Sequence, residues 1–124
     1  MQKHVRRDDA MVLKERSDIL NFDNEIKDFS DTAALVSNLD LVISVDTSVA
    51  HLAGALAKPV WVMLPFTPDW RWLLDRDDSP WYPSARLFRQ DDTREWGNVI
   101  ARVRAALCDL LESGRELPLA AAQP

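Results

Sequence analysis

Apolar residues fall in blocks along the chain, and the spacing within each block differs. Residues 41–45 (Leu-Val-Ile-Ser-Val) are a near-continuous apolar run, the pattern of a parallel strand covered on both faces. The polar turn Asp46-Thr47-Ser48 follows, then a helix from position 47 to about position 57. Lys58 near its end complements the helix dipole, and Pro59 forbids its continuation. Residues 60–64 are the next strand, ended by Pro65. Upstream, Ser30 or Asp31 is suited to cap a helix running to about Leu39, with Leu35, Val36 and Leu39 on one face. Ile19-Leu20-Asn21-Phe22 is a short strand candidate ahead of the acidic stretch 23–28. Downstream, residues 85–89 read as a last strand. From about 95 to 112 the apolar positions are Trp96, Val99, Ile100, Val103, Leu107, Leu110 and Leu111, an amphipathic helix closed by Gly114. There is no internal repeat. Alternating strands and helices predict an α/β fold, a parallel sheet with helices on its faces.

The pattern divides the chain into a charged N-terminal segment (1–16, with Met11, Val12 and Leu13 on a short helix), a domain spanning 17–114 and a frayed tail over 115–124. Between Pro65 and Pro83 lies a long irregular connection rich in Trp and Pro. Loops of that length inside a compact domain are uncommon and often functional.

Composition narrows the function classes. Hydrophobic residues make up 47% of the 124-residue chain, enough for a core. A net charge of −5 argues against a nucleic-acid-binding surface while leaving room for a local basic pocket. The single cysteine, Cys108, excludes an internal disulfide framework and a thiolate-rich metal site. Cys108 neighbours Leu107 and reads as a small core residue. The first residues carry positive charge with no apolar run behind them, which is not a signal-peptide pattern. No apolar run approaches the roughly 20 residues that span a bilayer. A soluble, cytoplasmic protein without a membrane span is the expectation.

The chemistry gathers at the turn after the first apolar strand. In open α/β sheets ligands bind outside the carboxyl ends of the strands. The first N–H groups of the helix lack internal partners and carry partial positive charge, which suits an anion such as phosphate. Asp46 reads either as a group that orders the turn or contacts the donor, or as the helix cap. Thr47 and Ser48 offer hydroxyls and backbone N–H groups to a diphosphate, or are only first-turn residues. His51 lies one turn beyond Thr47 on the same face and leans toward the helix start. It reads as a group that donates to phosphate and stabilises a leaving group, or as a half-buried histidine satisfied by a backbone carbonyl. Arg71, between Trp70 and Trp72, is able to grip phosphate, and the tryptophans to stack on a base or sugar. Alternatively, such residues cover a sheet end. Gly54 reads as close packing of helix on sheet. Residues 75–78 form a solvated charged turn, and Trp81, Tyr82 and Pro83 read as structural. No His, Asp or Glu cluster has metal-ligand spacing, and helix dipole and side chains suffice to stabilise a diphosphate, so metal is not implied; no cofactor is expected.

Several stretches together carry a resemblance: Asp46-Thr-Ser-Val-Ala-His-Leu-Ala-Gly-Ala-Leu, Pro59-Val-Trp-Val-Met-Leu-Pro, Asp69-Trp-Arg-Trp-Leu-Leu, Ser79-Pro-Trp-Tyr-Pro and Arg86-Leu-Phe-Arg-Gln. In that order they resemble the glycosyltransferase domain that follows tetratricopeptide repeats in many bacterial proteins, a relative of the heptosyltransferases of glycosyltransferase family nine. The resemblance spans about residues 17–110. It implies a GT-B architecture of two Rossmann-like halves, of which this chain is the C-terminal, donor-binding half. It also implies transfer of a sugar from a nucleoside diphosphate sugar to an acceptor hydroxyl, with His51 as the catalytic group of this half and Asp46, Thr47, Ser48, His51 and Arg71 holding the donor phosphates. Family members run two further strands upstream, the second ending in a Ser-Leu-Gln-Lys-like sequence that Met1-Gln-Lys3 resembles. By that comparison the acceptor half, the base and a central strand lie outside the chain, which alone is expected to transfer no sugar. The implied partners are the missing N-terminal half or a second copy in a homodimer. A non-catalytic remnant, or an interaction module that self-associates through an exposed sheet edge, is the alternative.

Overall fold

The computed structural model describes residues 7–22 and 24–114. Their elements are α1 (Arg7–Glu15), α2 (Phe29–Ser37), β1 (Val42–Val45), α3 (Ser48–Ala55), β2 (Val60–Leu64), a 3₁₀ turn (Trp70–Trp72), β3 (Ala85–Arg89) and α4 (Trp96–Ser113). The expected tail at 115–124 and the first six residues lie outside the described part.

The α/β expectation holds. The three strands form one parallel sheet in the order β1-β2-β3, with Val42 opposite Val60 and Val60 opposite Ala85. All three strands therefore end at the same edge, at Val45, Leu64 and Arg89. Side chains alternate between two cores, as the pleat demands. On one face Val42, Val60, Val62, Leu64, Ala85 and Leu87 pack with Val36 of α2, Ala50 and Ala53 of α3, and Trp72. On the other, Trp61 and Phe88 pack with Val99 and Val103 of α4.

The helix ends have local causes. Asp28, rather than Ser30 or Asp31, caps α2, accepting from the N–H groups of Ser30 and Asp31 at 2.8 and 3.0 Å. Asp31 accepts instead from the N–H of Lys27. The helix stops at Ser37, so Leu39 lies beyond it and is exposed, while Val36 is buried. At the end of α3 the N–H groups of Ala57 and Lys58 donate to the carbonyls of Gly54 and Ala53. This is the two-bond closure of a Schellman motif, with Ala57 at φ 54° where glycine is usual. Gly114 closes α4 at φ 57° as expected.

Two further expectations fail. Residues 19–22 form no strand. The carbonyl of Arg16 takes the N–H of Ile19, the carbonyl of Phe22 takes those of Glu25 and Ile26, and Ile19 and Leu20 are exposed. Local turns use backbone groups that a strand would have to offer to a neighbour. Cys108 is exposed rather than in the core. At about 100° per residue it stands roughly 180° around the helix from Val99. The predicted apolar stripe of α4 is also only half covered: Val99 and Val103 are buried, whereas Trp96, Ile100 and Leu111 are exposed. In α1, Met11 and Val12 likewise face solvent.

Candidate functional site

β1 delivers Asp46 at its carboxyl end, and the chain turns at once into α3. Thr47 is the N-cap residue, with extended backbone angles, but its side chain makes no capping bond. Its hydroxyl instead pairs with Ser44 Oγ at 3.2 Å. Ser44 spends its own proton on the carbonyl of Val45 at 2.9 Å, so Thr47 is the donor of the pair. Asp46 does not cap the helix either: its carboxylate lies 3.6 Å from His51 Nε2. The first turn of α3 thus has no side-chain cap, which leaves its first N–H groups without a side-chain acceptor.

His51 is half-buried and held from outside its helix. Nδ1 lies 3.1 Å from the Tyr82 hydroxyl, and the imidazole stacks on Trp72 with centroids 5.1 Å apart. The satisfied-histidine alternative is therefore met by a tyrosine hydroxyl, not a backbone carbonyl. Gly54 is a point of close packing, but against the ring of Tyr82 rather than the sheet.

Tyr82 and the tryptophans come from the long loop, which folds back over His51 and Gly54 of α3. Asp69 begins its 3₁₀ turn by accepting from Arg71 N–H at 3.0 Å, and its carboxylate also meets Arg71 Nη1 at 2.9 Å. The backbone bond first, and then the guanidinium, hold the Asp69 carboxyl below its ordinary range. The Arg71 guanidinium also lies 5.0 Å over the Trp70 ring. Trp72 is fully buried, and Trp81 Nε1 donates to the carbonyl of Arg71. Leu73 and Asp75 both sit at positive φ, near 54° and 55°. Such backbone is retained where surroundings over-determine it. Here Arg89, at the end of β3, donates to the carbonyls of Trp72 (2.6 Å) and Arg76 (2.9 Å). Burial pulls the Arg89 guanidinium below its usual pKa, with Asp77 and Asp75 opposing that pull. Arg76 pairs with Asp78, as a solvated charged turn would.

Together these residues enclose a recess of about 180 Å³ lined by His51, Trp70, Arg71, Trp72, Trp81 and Tyr82. Asp46 lies beside it through His51, and Thr47 and Ser48 begin the helix that carries His51. The fold thus brings the sequence-derived candidates Asp46, Thr47, Ser48 and His51 to one turn, and places Arg71 in the same recess as His51. Tyr82 and Trp81, read from sequence as structural, line it too. The signal for Tyr82 was Gly54, a helix glycine one turn from His51 that leaves space for a ring. A wider open groove, about 1020 Å³, runs between β3 and α4 and includes Trp61, Arg86 and Arg102. It lies across the sheet from α3 and exists because α4 covers only part of its face. It holds none of residues 46–51. Among the described residues no three His, Cys, Asp or Glu are grouped to hold a metal, and no helix is long and apolar enough to cross a membrane.

A parallel sheet with helices on both faces, and a helix start at the carboxyl ends of its strands, is a Rossmann-like arrangement. Residues 27–95 match glycosyltransferase family 9 (heptosyltransferase), and the chain belongs to that family. It is similar to Protein FlbA of Caulobacter vibrioides, 37% identical over 86 residues that make up 69% of this chain and 14% of FlbA. The chain therefore spans a small part of the length of that relative. No solved structure matches. Glycosyl transfer is the general chemistry of that family.

Proposed function

We propose that this chain is the donor-binding half of a GT-B glycosyltransferase of the tetratricopeptide-associated kind, and that it takes a nucleoside diphosphate sugar at the start of α3. The observation that carries this reading is that His51, one turn along α3 from its uncapped start, shares a recess with Arg71. Thr47, Ser48 and the first N–H groups of α3 receive the diphosphate. Asp46 orders the turn. His51 and Arg71 stabilise the charge that develops on the diphosphate as the sugar departs. The Trp70 and Trp81 rings offer flat apolar faces to a sugar or base. No metal is needed for this charge stabilisation. The acceptor and its base belong to a half outside the chain, so the transfer step itself requires that half.

The test is NMR shift mapping of the 124-residue chain with ADP, UDP and GDP. Weak binding is expected, with perturbations clustered at residues 46–51 and 70–82. Absence of shifts at millimolar ligand, or a cluster in the groove beside α4, would refute this assignment.

A second reading has its own observation. Among the described residues β1 pairs only with β2, so its outer backbone edge has no strand beside it. On the α4 face Leu41 and Ile43 are only partly buried, and Val45 is exposed. An apolar edge of this kind is a template for another strand. We propose that the missing central strand of this half covers it in the full protein, and that a second copy of the chain does so in isolation, as a two-fold dimer. Size-exclusion chromatography with light scattering is expected to show a dimer at micromolar concentration. A persistent monomer with strongly protected β1 amides would rule this out.

A further inference from the structure

His51 is restrained mainly by groups outside its own helix. The Tyr82 hydroxyl lies 3.1 Å from Nδ1, the Trp72 ring stacks with an interplanar angle of 22°, and the Tyr82 ring meets the imidazole edge-on at 5.7 Å. Tyr82 reaches this position because residue 54 has no side chain. A Cβ built on Gly54 would stand 2.4 Å from Tyr82 Cγ and 2.6 Å from Cδ1, far inside carbon–carbon contact. Gly54 does not have a positive φ, so the position needs the missing side chain and not glycine's backbone freedom. Residues 51 and 54 are neighbours on one helix face. The Tyr82 ring lies over one and its hydroxyl ends at the other.

We propose that Gly54 and Tyr82 are positioning residues for His51, which fix Nδ1 as a hydrogen-bond acceptor and turn Nε2 toward Asp46 and the start of α3. The chemistry of the partners gives the sense of the arrangement. A carboxylate only accepts, whereas a phenol both donates and accepts. With Asp46 beside Nε2, the neutral ring keeps its proton on Nε2, and Nδ1 accepts from the Tyr82 O–H. The 3.6 Å separation between Nε2 and Asp46 Oδ1 exceeds a hydrogen bond. Nε2–H therefore keeps its donating capacity for an oxygen of a ligand seated at the helix start. The purpose of the arrangement rests on the diphosphate reading above; the arrangement itself does not.

The test uses the ligand-free 124-residue chain carrying His4→Gln, so that one imidazole reports. Nitrogen-15 NMR is recorded at a pH well above the ordinary histidine range. In this parent chain the Nδ1 resonance is expected at the position of a nitrogen that accepts a hydrogen bond. Tyr82→Phe keeps the ring over Gly54 and removes only the hydroxyl, and Nδ1 is expected to move to its unbonded position. Gly54→Ala is expected to produce the same displacement with the tyrosine chemically intact, because the added methyl evicts the ring. Nuclear Overhauser contacts between imidazole and the Trp72 indole are expected to weaken in both. Loss of the oriented histidine is expected to weaken nucleoside diphosphate binding about fivefold, the worth of one hydrogen bond. An Nδ1 resonance identical in parent and Tyr82→Phe chains would overturn the proposal, as would a folded Gly54→Ala chain with the parental Nδ1 position. If Gly54→Ala does not fold, Tyr82→Phe decides alone. A displaced Nδ1 in a chain that binds none of the three nucleotides upholds the positioning role and removes the diphosphate reading.

Discussion

Trp72→Ala is expected to destabilise the fold by about 3–5 kcal/mol, the usual penalty for emptying a buried tryptophan site. Domains of this kind have only about 5–15 kcal/mol in total, so the variant is expected to be partly unfolded at ambient temperature. Trp72 has zero exposure and packs in the same core as Val60, Val62 and Leu64. It also supports the face of His51, so the recess should disappear along with the stability. Trp72→Phe separates volume from polarity. The indole Nε1 is buried without a hydrogen-bond partner, so its loss removes no bond, and the cost is confined to a smaller cavity. Urea titration followed by far-ultraviolet circular dichroism measures both. A loss below about 1 kcal/mol for Trp72→Ala would mean that the ring does not anchor the loop.

His51→Ala is expected to lower nucleoside diphosphate affinity by about ten- to a hundredfold, which follows from losing a hydrogen bond of about 1.5–3 kcal/mol to a charged phosphate. Arg71→Ala should have a smaller effect. Its side chain is half exposed and already shared with Asp69, a setting in which solvent screens ion pairs. Raising the salt concentration should weaken both parent and variants, and the Arg71-dependent part most. Isothermal calorimetry at two ionic strengths checks the order of effects. Parental affinity in a folded His51→Ala chain would dissociate this residue from the ligand.

The sheet was legible because its signals are local. Two apolar runs, 41–45 and 60–64, are bounded by a polar turn and by Pro and read as buried strands; β1 occupies Val42–Val45 of the first and β2 the whole of the second. The failures were failures of context. The run Ile19-Leu20-Asn21-Phe22 has strand-like composition, but a strand needs a neighbour, and local turns satisfy its backbone instead. Cys108 looked internal from its neighbour Leu107, although one step along a helix is a large step around it. In the site, the turn at Asp46, Thr47 and Ser48 and the position of His51 follow from spacing on one helix. The role of Tyr82 does not. It stands 31 residues beyond His51 and meets it only after the loop has crossed the sheet end. Asp46 could be read as a cap from its position, but its carboxylate turns toward His51 instead.

The clasp made by Arg89 changes what binding involves. One guanidinium at the end of β3 holds two carbonyls of the loop, while Arg102 of α4 donates to the carbonyl of Arg89 itself. Sheet, loop and outer helix are therefore tied at a single residue, and the rim of the recess is expected to be ordered before any ligand arrives. Association then spares the conformational entropy that a loose rim would lose on closing. The heat of binding should be accompanied by only a modest entropic opposition, and encounter should be governed by diffusion and charge instead of by the slow ordering of a loop.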